Sequence, residues 1–240
     1  GWGARLLALQ GEDGQWAGGA LFPARRSKSG NGEQPKGQPW TATAYSLVLL
    51  HDFGVDPHRD TVRRAVAQVR EHCRWEHAGQ PFFSGEVEPC INGMTVALGA
   101  YFDQDVDGVV ARLLGEQLED GGWNCEVENG SVRSSFERKL FRRRSTGDVA
   151  DPAWVQFSFP TRWHYDVLRG LEYFRAAGDP PDPRVDEVMD LLRSKQQSDG
   201  TWLLENTYPG AVHFALEDGD GRPSRWNTLR ALRVLRWYEQ

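Results

Sequence analysis

Two short segments each place an arginine beside a tryptophan just after a proline. Pro160-Thr161-Arg162-Trp163-His164 and Pro223-Ser224-Arg225-Trp226-Asn227 are near copies, and Pro39-Trp40-Thr41 is a weaker third. Proline is favoured in the first turn of a helix, where its missing N–H costs least. Each segment therefore predicts a helix whose first turn carries a guanidinium, an aromatic ring or both.

We expect an anion near the two arginines because of their predicted position in a first helical turn. A positive charge in the first turn opposes the helix dipole, at a cost of a few tenths of a kcal/mol. A carboxylate of the chain can offset it, and the candidates are Asp148, Asp151, Glu217, Asp218 and Asp220. A phosphate or carboxylate on a ligand can do the same, since helix N-termini favour anions. Both sources stay open.

On the ligand alternative, these segments predict a substrate site. Arg162 and Arg225 are then expected to bind an anionic head group. The aromatic rings would contact a hydrocarbon, or a cation through their π faces, and they are Trp40, Trp163 and Trp226. We add His213, from the aromatic loop segment His213-Phe214, to the predicted substrate-binding residues.

Titratable side chains near these segments are candidates for acid–base chemistry. His164-Tyr165-Asp166 is the most titratable cluster next to the predicted helix starts. Polar and aromatic loops add carboxylates beside rings, in Phe82–Glu88 and Glu205–Tyr208. Carboxylates in such surroundings suit proton transfer to a sugar or an alkene. We predict His164 and Asp166 as catalytic residues, while a solvated loop remains the structural alternative for the carboxylates.

A threefold repeat sets the elements that must position these residues. The pattern Leu-xxx-Gln-xxx-Gly-x-Trp occurs at Leu6–Trp16, Leu113–Trp123 and Leu192–Trp202, each with Asp before the Gly. Repeats of this kind indicate stacked units that bury their apolar faces against one another. Within a unit, Gln can bond the unpaired backbone groups at a helix end, Gly supplies a left-handed turn and Trp packs back on a neighbour.

Each unit is predicted to be a pair of helices, an outer one followed by an inner one. Apolar residues at helical spacing predict inner helices over Trp40–Asp52, Cys90–Phe102, Arg162–Ala177 and Arg225–Tyr238. Segments with charges along one face, Arg59–Arg74 and Pro183–Lys195, predict outer helices. Gly1 and Trp2 stand directly against a helical pattern, so we expect the natural N-terminus to lie further upstream.

The last interval between repeats is short. Trp123 follows Trp16 by 107 positions, which fits two units of about fifty residues, whereas Trp202 follows Trp123 by only 79. Roughly 28 residues are missing by the same period. Where an inner helix is due after Phe136, the chain instead runs into the basic segment 137–144. We therefore predict that one helix pair is incomplete near residues 136–140.

The repeated Gln-xxx-Gly-x-Trp unit resembles the QW motif of squalene–hopene cyclases. The alternating helices resemble the α/α toroid that those cyclases share with protein prenyltransferase β subunits. The resemblance covers nearly the whole chain and implies an all-α fold, a toroid of about five to six helix pairs forming a single domain over residues 1–240. In such a toroid the inner helices start at one rim, where the Arg-Trp segments would meet.

The resemblance also implies chemistry, which this chain matches only in part. Class II terpene cyclases protonate their substrate with Asp-x-Asp-Asp, which is absent here; Asp103-Gln104-Asp105-Val106-Asp107 indicates a cap and turn instead. Prenyltransferases bind zinc through Asp-x-Cys at an inner-helix start and a later His. Glu88-Pro89-Cys90 stands at the matching place, which implies Glu88 and Cys90 as zinc ligands and catalytic residues, with His164 as the remaining inner-helix histidine. The structural alternative is a small buried Cys90 and a helix-start charge on Glu88.

The amino-acid composition limits the class of protein to which this chain can belong. The 240 residues are 39% hydrophobic and 26% charged, as in an ordinary globular protein. A net charge of −6 argues against nucleic acid as a partner, and no apolar run approaches the ~20 residues of a membrane span. Three cysteines, Cys73, Cys90 and Cys125, form no CxxC pair, which favours a reducing cytoplasm.

Three functions remain open at this point. The first is a cyclase- or prenyltransferase-like enzyme acting on an isoprenoid or other hydrophobic substrate in the central cavity, without the Asp-x-Asp-Asp acid. The second is an α/α-barrel enzyme that processes a glycan with two rim carboxylates about 5–9 Å apart. The third is a non-catalytic toroid that binds a lipid or a partner. A closed apolar cavity would favour the cyclase- or prenyltransferase-like enzyme. An open groove lined with Trp and Glu would favour the glycan enzyme, and a filled centre would favour the non-catalytic toroid.

Overall fold

Eight α-helices and one two-stranded sheet make up most of the regular structure in the described residues of the computed structural model: 1–24, 38–118, 123, 140–143, 145–178 and 180–240. This helix-rich architecture confirms the mostly-α prediction at that level, while the toroid stays a prediction. The chain divides into two units, Gly1–Ser135 with Gly210–His213, and Phe136–Pro209 with Phe214–Gln240. A single domain over residues 1–240 likewise stays a prediction.

The first unit contains five helices. They are α1 (Trp2–Leu7), α2 (Thr43–Asp52), α3 (Asp60–His72), α4 (Pro89–Tyr101) and α5 (Asp107–Gly115), with a 3₁₀ turn at Phe82–Ser84. Helix α1 packs against α2 and α3, and α4 packs against α2 and α5. Trp75 lies at the centre of a buried aromatic group, stacked on Phe82 at a centroid distance of 4.7 Å.

The second unit is built around three helices and a short sheet. The helices are α6 (Val167–Ala177), α7 (Asp186–Ser194) and α8 (Arg225–Tyr238), with 3₁₀ turns at Pro152–Val155 and Pro183–Val185. Strands β1 (Trp202–Leu203) and β2 (Pro223–Ser224) are antiparallel, with Trp202 opposite Ser224. The core joins the apolar faces of the three helices around Leu171, Leu192, Trp202 and Val234. Full burial of one such side chain is worth about 1.5–3 kcal/mol.

Burial distinguishes two kinds of helix in the first unit. Helix α2 buries side chains all round, from Thr43 through Leu47 and at Leu49 and Leu50. Helix α3 buries a single stripe, Val62, Ala65, Val66 and Val69, and exposes its charged residues. The first pattern is typical of an interior helix and the second of a surface helix, as predicted for inner and outer helices.

One hydrogen bond recurs in all three copies of the repeated motif. The indole N–H donates to the carbonyl oxygen of the Leu ten positions earlier, from Trp16 to Leu6 at 2.8 Å, from Trp123 to Leu113 at 2.7 Å and from Trp202 to Leu192 at 2.8 Å. Gln10 Nε2 donates to the carbonyl of Gly14, which has a φ of +72°. A left-handed backbone at this place requires glycine, and a Cβ there would come within 2.8 Å of the Gln68 carbonyl oxygen. The structural role predicted for the motif is confirmed in these contacts.

The predicted helix limits are mostly close, with one clear error. The prediction over Arg225–Tyr238 matches α8, and Cys90–Phe102 differs from α4 by one residue at each end. The prediction that began at Arg162 is wrong at its start, because α6 begins only at Val167. Helix α2 begins at Thr43, so Trp40 precedes it.

Two further predictions concern the connecting segments. The segment Asp103–Val106 joins α4 to α5. Oδ1 of Asp105 accepts the backbone N–H of Asp107 at 3.1 Å, which confirms the turn predicted for this acidic segment. The incomplete helix pair falls largely on residues 136–139, which lie outside the described residues. Within the described ranges, no helix combines the length and apolar character that crossing a membrane requires.

Candidate functional site

The start of α8 brings a carboxyl group, a tryptophan and an arginine together. Ser224 caps the helix, since its Oγ accepts the N–H of Asn227 at 2.9 Å. The same hydroxyl donates to Oε1 of Glu217 at 2.5 Å. The backbone N–H of Trp226 also bonds the Glu217 side chain, and the positive charge of Arg225 acts on it. The sequence predicted that an anion offsets the positive charge of Arg225 at the helix start. Among the candidate carboxylates, Glu217 is the one on which the Arg225 charge acts.

Glu217 is the carboxyl group here whose protonation is most altered. Burial raises the pKa of its carboxyl above the ordinary value, against the opposing effects of the Ser224 hydroxyl, the Trp226 N–H and the Arg225 charge. Desolvation disfavours the charged carboxylate. A half-buried acid of this kind is a suitable general acid, because it keeps its proton at a higher pH than an ordinary glutamate.

The near copy at Pro160–His164 has a different conformation. It precedes α6 rather than starting it, and Arg162 has a φ of +57°. A non-glycine residue seldom adopts this left-handed backbone. The side chain of Arg162 therefore does not lie in a first helical turn, and the argument from the helix dipole does not apply to it. Arg162 is also only 7% exposed, which makes it a poor primary contact for a head group.

Two residues of α6 and its cap hold this segment. Asp166 is the N-cap of α6, and its Oδ1 accepts the N–H of Arg169 at 2.8 Å. Arg169 Nη1 in turn donates to the carbonyl oxygens of Arg162 at 3.0 Å and His164 at 2.8 Å. The other oxygen of Asp166 accepts from the N–H and the hydroxyl of Ser158, at 3.1 and 2.9 Å. Asp166 is fully buried, so its role is to fix the loop, and the catalytic role predicted for it has no support here.

A buried arginine connects the two helix starts. Arg230 of α8 bonds Glu172 of α6 at 2.6 Å and the carbonyl of Ser158 at 3.0 Å, and it lies 3.8 Å from Oδ1 of Asp166. It also donates to Asn227 Oδ1 at 3.2 Å. The buried carboxylate of Asp166 and the half-buried carboxylate of Glu172 satisfy the buried guanidinium of Arg230, as a buried charge requires. The network fixes the segment before α6 relative to α8.

The fixed segment presents a column of three rings. His164 stacks on Trp163 at a centroid distance of 3.7 Å and on Tyr208 at 3.6 Å. Trp163 is 59% exposed, so one face of the column is open to solvent. We call Trp163, His164 and Tyr208 the ring column. Trp226 stacks on a different ring, that of the buried Phe159, at 4.8 Å.

Titratable groups of the ring column are held neutral. Burial, and then the charge of Arg169, lowers the pKa of His164 below its ordinary value. Burial raises the pKa of the Tyr208 phenol, whose side chain also bonds Ser158 and Asn206. A neutral imidazole is well suited to stacking between two rings. It carries no extra proton, so it is less suited to act as a general acid.

The remaining substrate-binding predictions belong to the first unit. Trp40 is 2% exposed and packs edge-on against Tyr45 at 4.9 Å. His213 Nε2 lies 3.0 Å from Oγ of Ser46, and that hydroxyl donates to the carbonyl of Ala42 at 3.0 Å. The Ser46 hydroxyl is therefore shared between the Ala42 carbonyl and the His213 imidazole. Both side chains have structural roles in this unit.

The predicted zinc ligands form a pair. Cys90 Sγ lies 3.6 Å from Oε2 of Glu88, a spacing that fits two neighbouring ligands of a tetrahedral zinc ion. Cys90 is exposed, so the alternative of a small buried cysteine is wrong. Within the described ranges, no third His, Cys, Asp or Glu completes a group that could hold a metal. His164 belongs to the second unit, and Cys125 lies outside the described residues. The donor set is incomplete, and zinc stays a prediction.

Reasoning from the sequence singled out four residues of this site, Trp163, His164, Arg225 and Trp226. It did not find the roles of three others. It did not assign roles to Tyr208 and Arg169, and it named Glu217 only as a charge partner. A stacking partner such as Tyr208 lies 44 positions from His164, and no local pattern indicates that contact.

The chain was compared with protein-family models, with curated proteins and with solved structures, and none of the three comparisons gave a match.

Proposed function

We propose that this chain is an α/α toroid of the terpenoid cyclase and prenyltransferase type, and that it acts on an isoprenoid or similar hydrophobic substrate. Three identical Trp–Leu hydrogen bonds support the repeat on which the resemblance rests. The contrast between the fully buried α2 and the one-sided α3 supports the arrangement in inner and outer layers. The toroid and its central cavity are part of the proposal.

The ring column is the proposed substrate surface. The observation that carries the proposal is the exposed face of Trp163, backed by His164 and Tyr208. Stacked rings present a broad apolar surface with negative π faces, which binds a hydrocarbon chain and stabilises a carbocation. Arg225 is exposed at the start of α8 and is the proposed contact for an anionic head group.

Glu217 is the proposed acid in place of the absent Asp-x-Asp-Asp. Its protonated carboxyl would transfer a proton to the less substituted carbon of the terminal double bond, leaving a carboxylate on Glu217 and a tertiary carbocation on the substrate. The backbone N–H of Trp226 bonds Glu217, and in this proposal the ring of Trp226 faces the carbocation. Loss of a proton from the cyclised cation to water completes an isomerisation, and solvent reprotonates Glu217. The chemistry requires no oxidant and no net proton.

Incubation with squalene in D₂O tests the acid, and Asp218→Asn provides a matched control on the neighbouring exposed carboxylate. The wild type and Asp218→Asn should form a product that contains deuterium. Glu217→Gln should form none, while it still binds squalene. Incorporation that persists in Glu217→Gln would remove the acid assignment.

Binding is tested separately on Trp163. Isothermal titration with farnesol and farnesyl diphosphate should give an affinity reduced about tenfold in Trp163→Ala, because one stacked ring contributes on the order of 1–2 kcal/mol. Tyr173→Ala is the control, since Tyr173 is an aromatic residue of the same unit that is 71% exposed. Arg225→Ala should weaken only the diphosphate, since Arg225 is the exposed contact proposed for the head group. Failure of both isoprenoids to bind would overturn the proposed function.

A second candidate function has one observation in its favour. The 59% exposure of Trp163 suits stacking against a sugar ring at an open surface, and Glu217 would be the general acid of a glycan-processing enzyme. The same titration with a β-linked glucan oligosaccharide separates the two functions. Binding of the oligosaccharide but of neither isoprenoid would favour the glycan enzyme.

A further inference from the structure

A second concave surface lies in the first unit, between the exposed face of α3 and the loop after α4. Its volume is about 620 Å³, within the range of about 300–1,000 Å³ typical of small-molecule sites. Arg63, Arg64 and Arg70 line one wall, and Asp103 and Gln104 line the other. We call this surface the α3 groove. All of its lining residues belong to the first unit, and none contributes to the ring column.

The α3 wall offers hydrogen-bond donors. Arg63, Ala67 and Arg70 follow one another at helical spacing on the face opposite the buried stripe of α3. Within the described part of the chain, no ion pair or hydrogen bond engages the guanidinium of Arg63 or Arg64, and Arg70 approaches only the exposed Glu71, at 3.7 Å. Ala67 leaves space between the longer side chains. Guanidinium groups in this arrangement suit phosphate oxygens.

The opposite wall offers acceptors. Gln104 Nε2 donates to the carbonyls of Phe102 and Asp103, both at 2.9 Å, which fixes the orientation of the amide. Its Oε1 has no hydrogen-bond donor among the residues that the structure describes, but it is shielded from solvent and therefore from a ligand in the groove. The acceptor that this wall offers is the exposed carboxylate of Asp103, which has a φ of +54°.

We propose that the α3 groove binds a phosphorylated sugar or polyol, with its phosphate on the arginines and a hydroxyl group on the carboxylate of Asp103. Asp60 also lines the groove and offers a second carboxylate to a hydroxyl group. A simple anion would lie close to these carboxylates without donating a hydrogen bond to them. A neutral sugar would leave the arginines unused. A molecule that combines an anionic group with hydroxyl donors is complementary to both sets of side chains.

Calorimetric titration of the full chain with glucose 6-phosphate, glucose and inorganic phosphate tests this assignment. Glucose 6-phosphate should bind saturably with a Kd of about 1 mM or below, and each of the other two probes about tenfold more weakly. Arg63→Gln with Arg64→Gln should weaken glucose 6-phosphate at least about tenfold, since hydrogen bonds to charged groups are the strong ones. Absence of saturable binding by glucose 6-phosphate would overturn the proposal.

Two further variants separate the site from general charge attraction. Arg233→Gln with Arg236→Gln removes two exposed arginines from α8 and should leave the affinity unchanged. Equal weakening by the two double variants would overturn the proposal. Asp103→Gly removes the carboxylate at a backbone conformation that glycine tolerates. It should abolish the preference for glucose 6-phosphate over phosphate, and a preference that survives it would remove the assignment of the hydroxyl contact. Circular dichroism and thermal unfolding of each variant confirm that it is folded.

Discussion

The indole N–H of Trp202 donates to the carbonyl oxygen of Leu192 at 2.8 Å, across the turn that ends α7. The backbone N–H of Trp202 donates to Oγ1 of Thr228 on α8 at 3.0 Å. In the first copy, Trp16 makes the same two bonds, to Leu6 and to Thr43 of α2. One tryptophan thus joins the helix before the turn to the helix that follows it.

These bonds predict unequal effects of Trp→Phe substitutions. Trp16→Phe and Trp202→Phe should each lower the free energy of unfolding by about 1–3 kcal/mol, because a buried carbonyl loses its donor and a void remains. Trp123→Phe should cost less, since Trp123 is 39% exposed whereas the other two are fully buried. Urea unfolding followed by circular dichroism measures all three. Equal losses for the three variants would contradict the interpretation.

Asp166 is predicted to stabilise the second unit strongly. Asp166→Ala should destabilise it by about 3–5 kcal/mol, because Arg230 would keep a buried charge with one partner fewer and α6 would lose its cap. Asp199→Asn is a control at an exposed carboxylate that accepts from Thr201, and its effect should be much smaller. Thermal unfolding of the two variants compares them. A small effect of Asp166→Ala would show that the network is not needed for stability.

The raised pKa of Glu217 predicts a specific pH dependence. In the pH range between the ordinary pKa of a glutamate and the raised pKa of Glu217, the folded chain holds a proton that the unfolded chain has lost. The contribution of this group to the free energy of unfolding is therefore present at lower pH and is lost as pH rises through that range. Glu217→Gln should remove this loss. Unfolding at a series of pH values from about 4 to 8 tests the difference between the two proteins.

Cys73 and Cys90 are predicted to differ in reactivity. Cys90 is exposed and should be alkylated readily by iodoacetamide in the native protein. Burial raises the pKa of the Cys73 thiol to about 12, so it should react only after unfolding. Peptide mass spectrometry before and after addition of guanidinium chloride distinguishes the two. Rapid native labelling of Cys73 would contradict its burial.

Metal analysis tests the predicted zinc site. Protein purified without chelator should contain zinc if Glu88 and Cys90 find a third ligand, and Cys90→Ser should lower that content because a hydroxyl is a poor zinc ligand. Cys73→Ser is the matched control for the loss of a thiol. Zinc content near zero in the wild type would remove the zinc hypothesis.

The sequence predicted the repeat and α8 well because the signals are local. Leu, Gln, Gly and Trp at fixed offsets lie in one turn, and Ser224 directly precedes the helix that it caps. The same reasoning failed at Arg162, although the pentapeptides are near copies. There the cap is Asp166, which is held by Ser158 and Arg230, and the second of these lies 64 positions away. Similar pentapeptides thus adopt different conformations when distant partners fix the start of the helix.

The candidate site was predictable in its residue types but not in its assembly. Trp163 and Trp226 stood out as aromatic residues beside arginines. The carboxyl that acquires an unusual pKa is Glu217, in an irregular loop where sequence offers only a run of acids. Burial raises the pKa of Glu217 while the hydroxyl of Ser224 acts in the opposite direction, and both effects depend on tertiary structure.

Each Trp–Leu bond closes a loop of ten residues, and this has a consequence for how the chain folds and how its length can vary. Short loops lose little conformational entropy on closure, and local contacts can form early in folding. Every turn can therefore form without help from a distant unit. Loss of a whole unit from the middle of the gene would leave the remaining closures intact, so the number of units is free to change during evolution while the local fold persists.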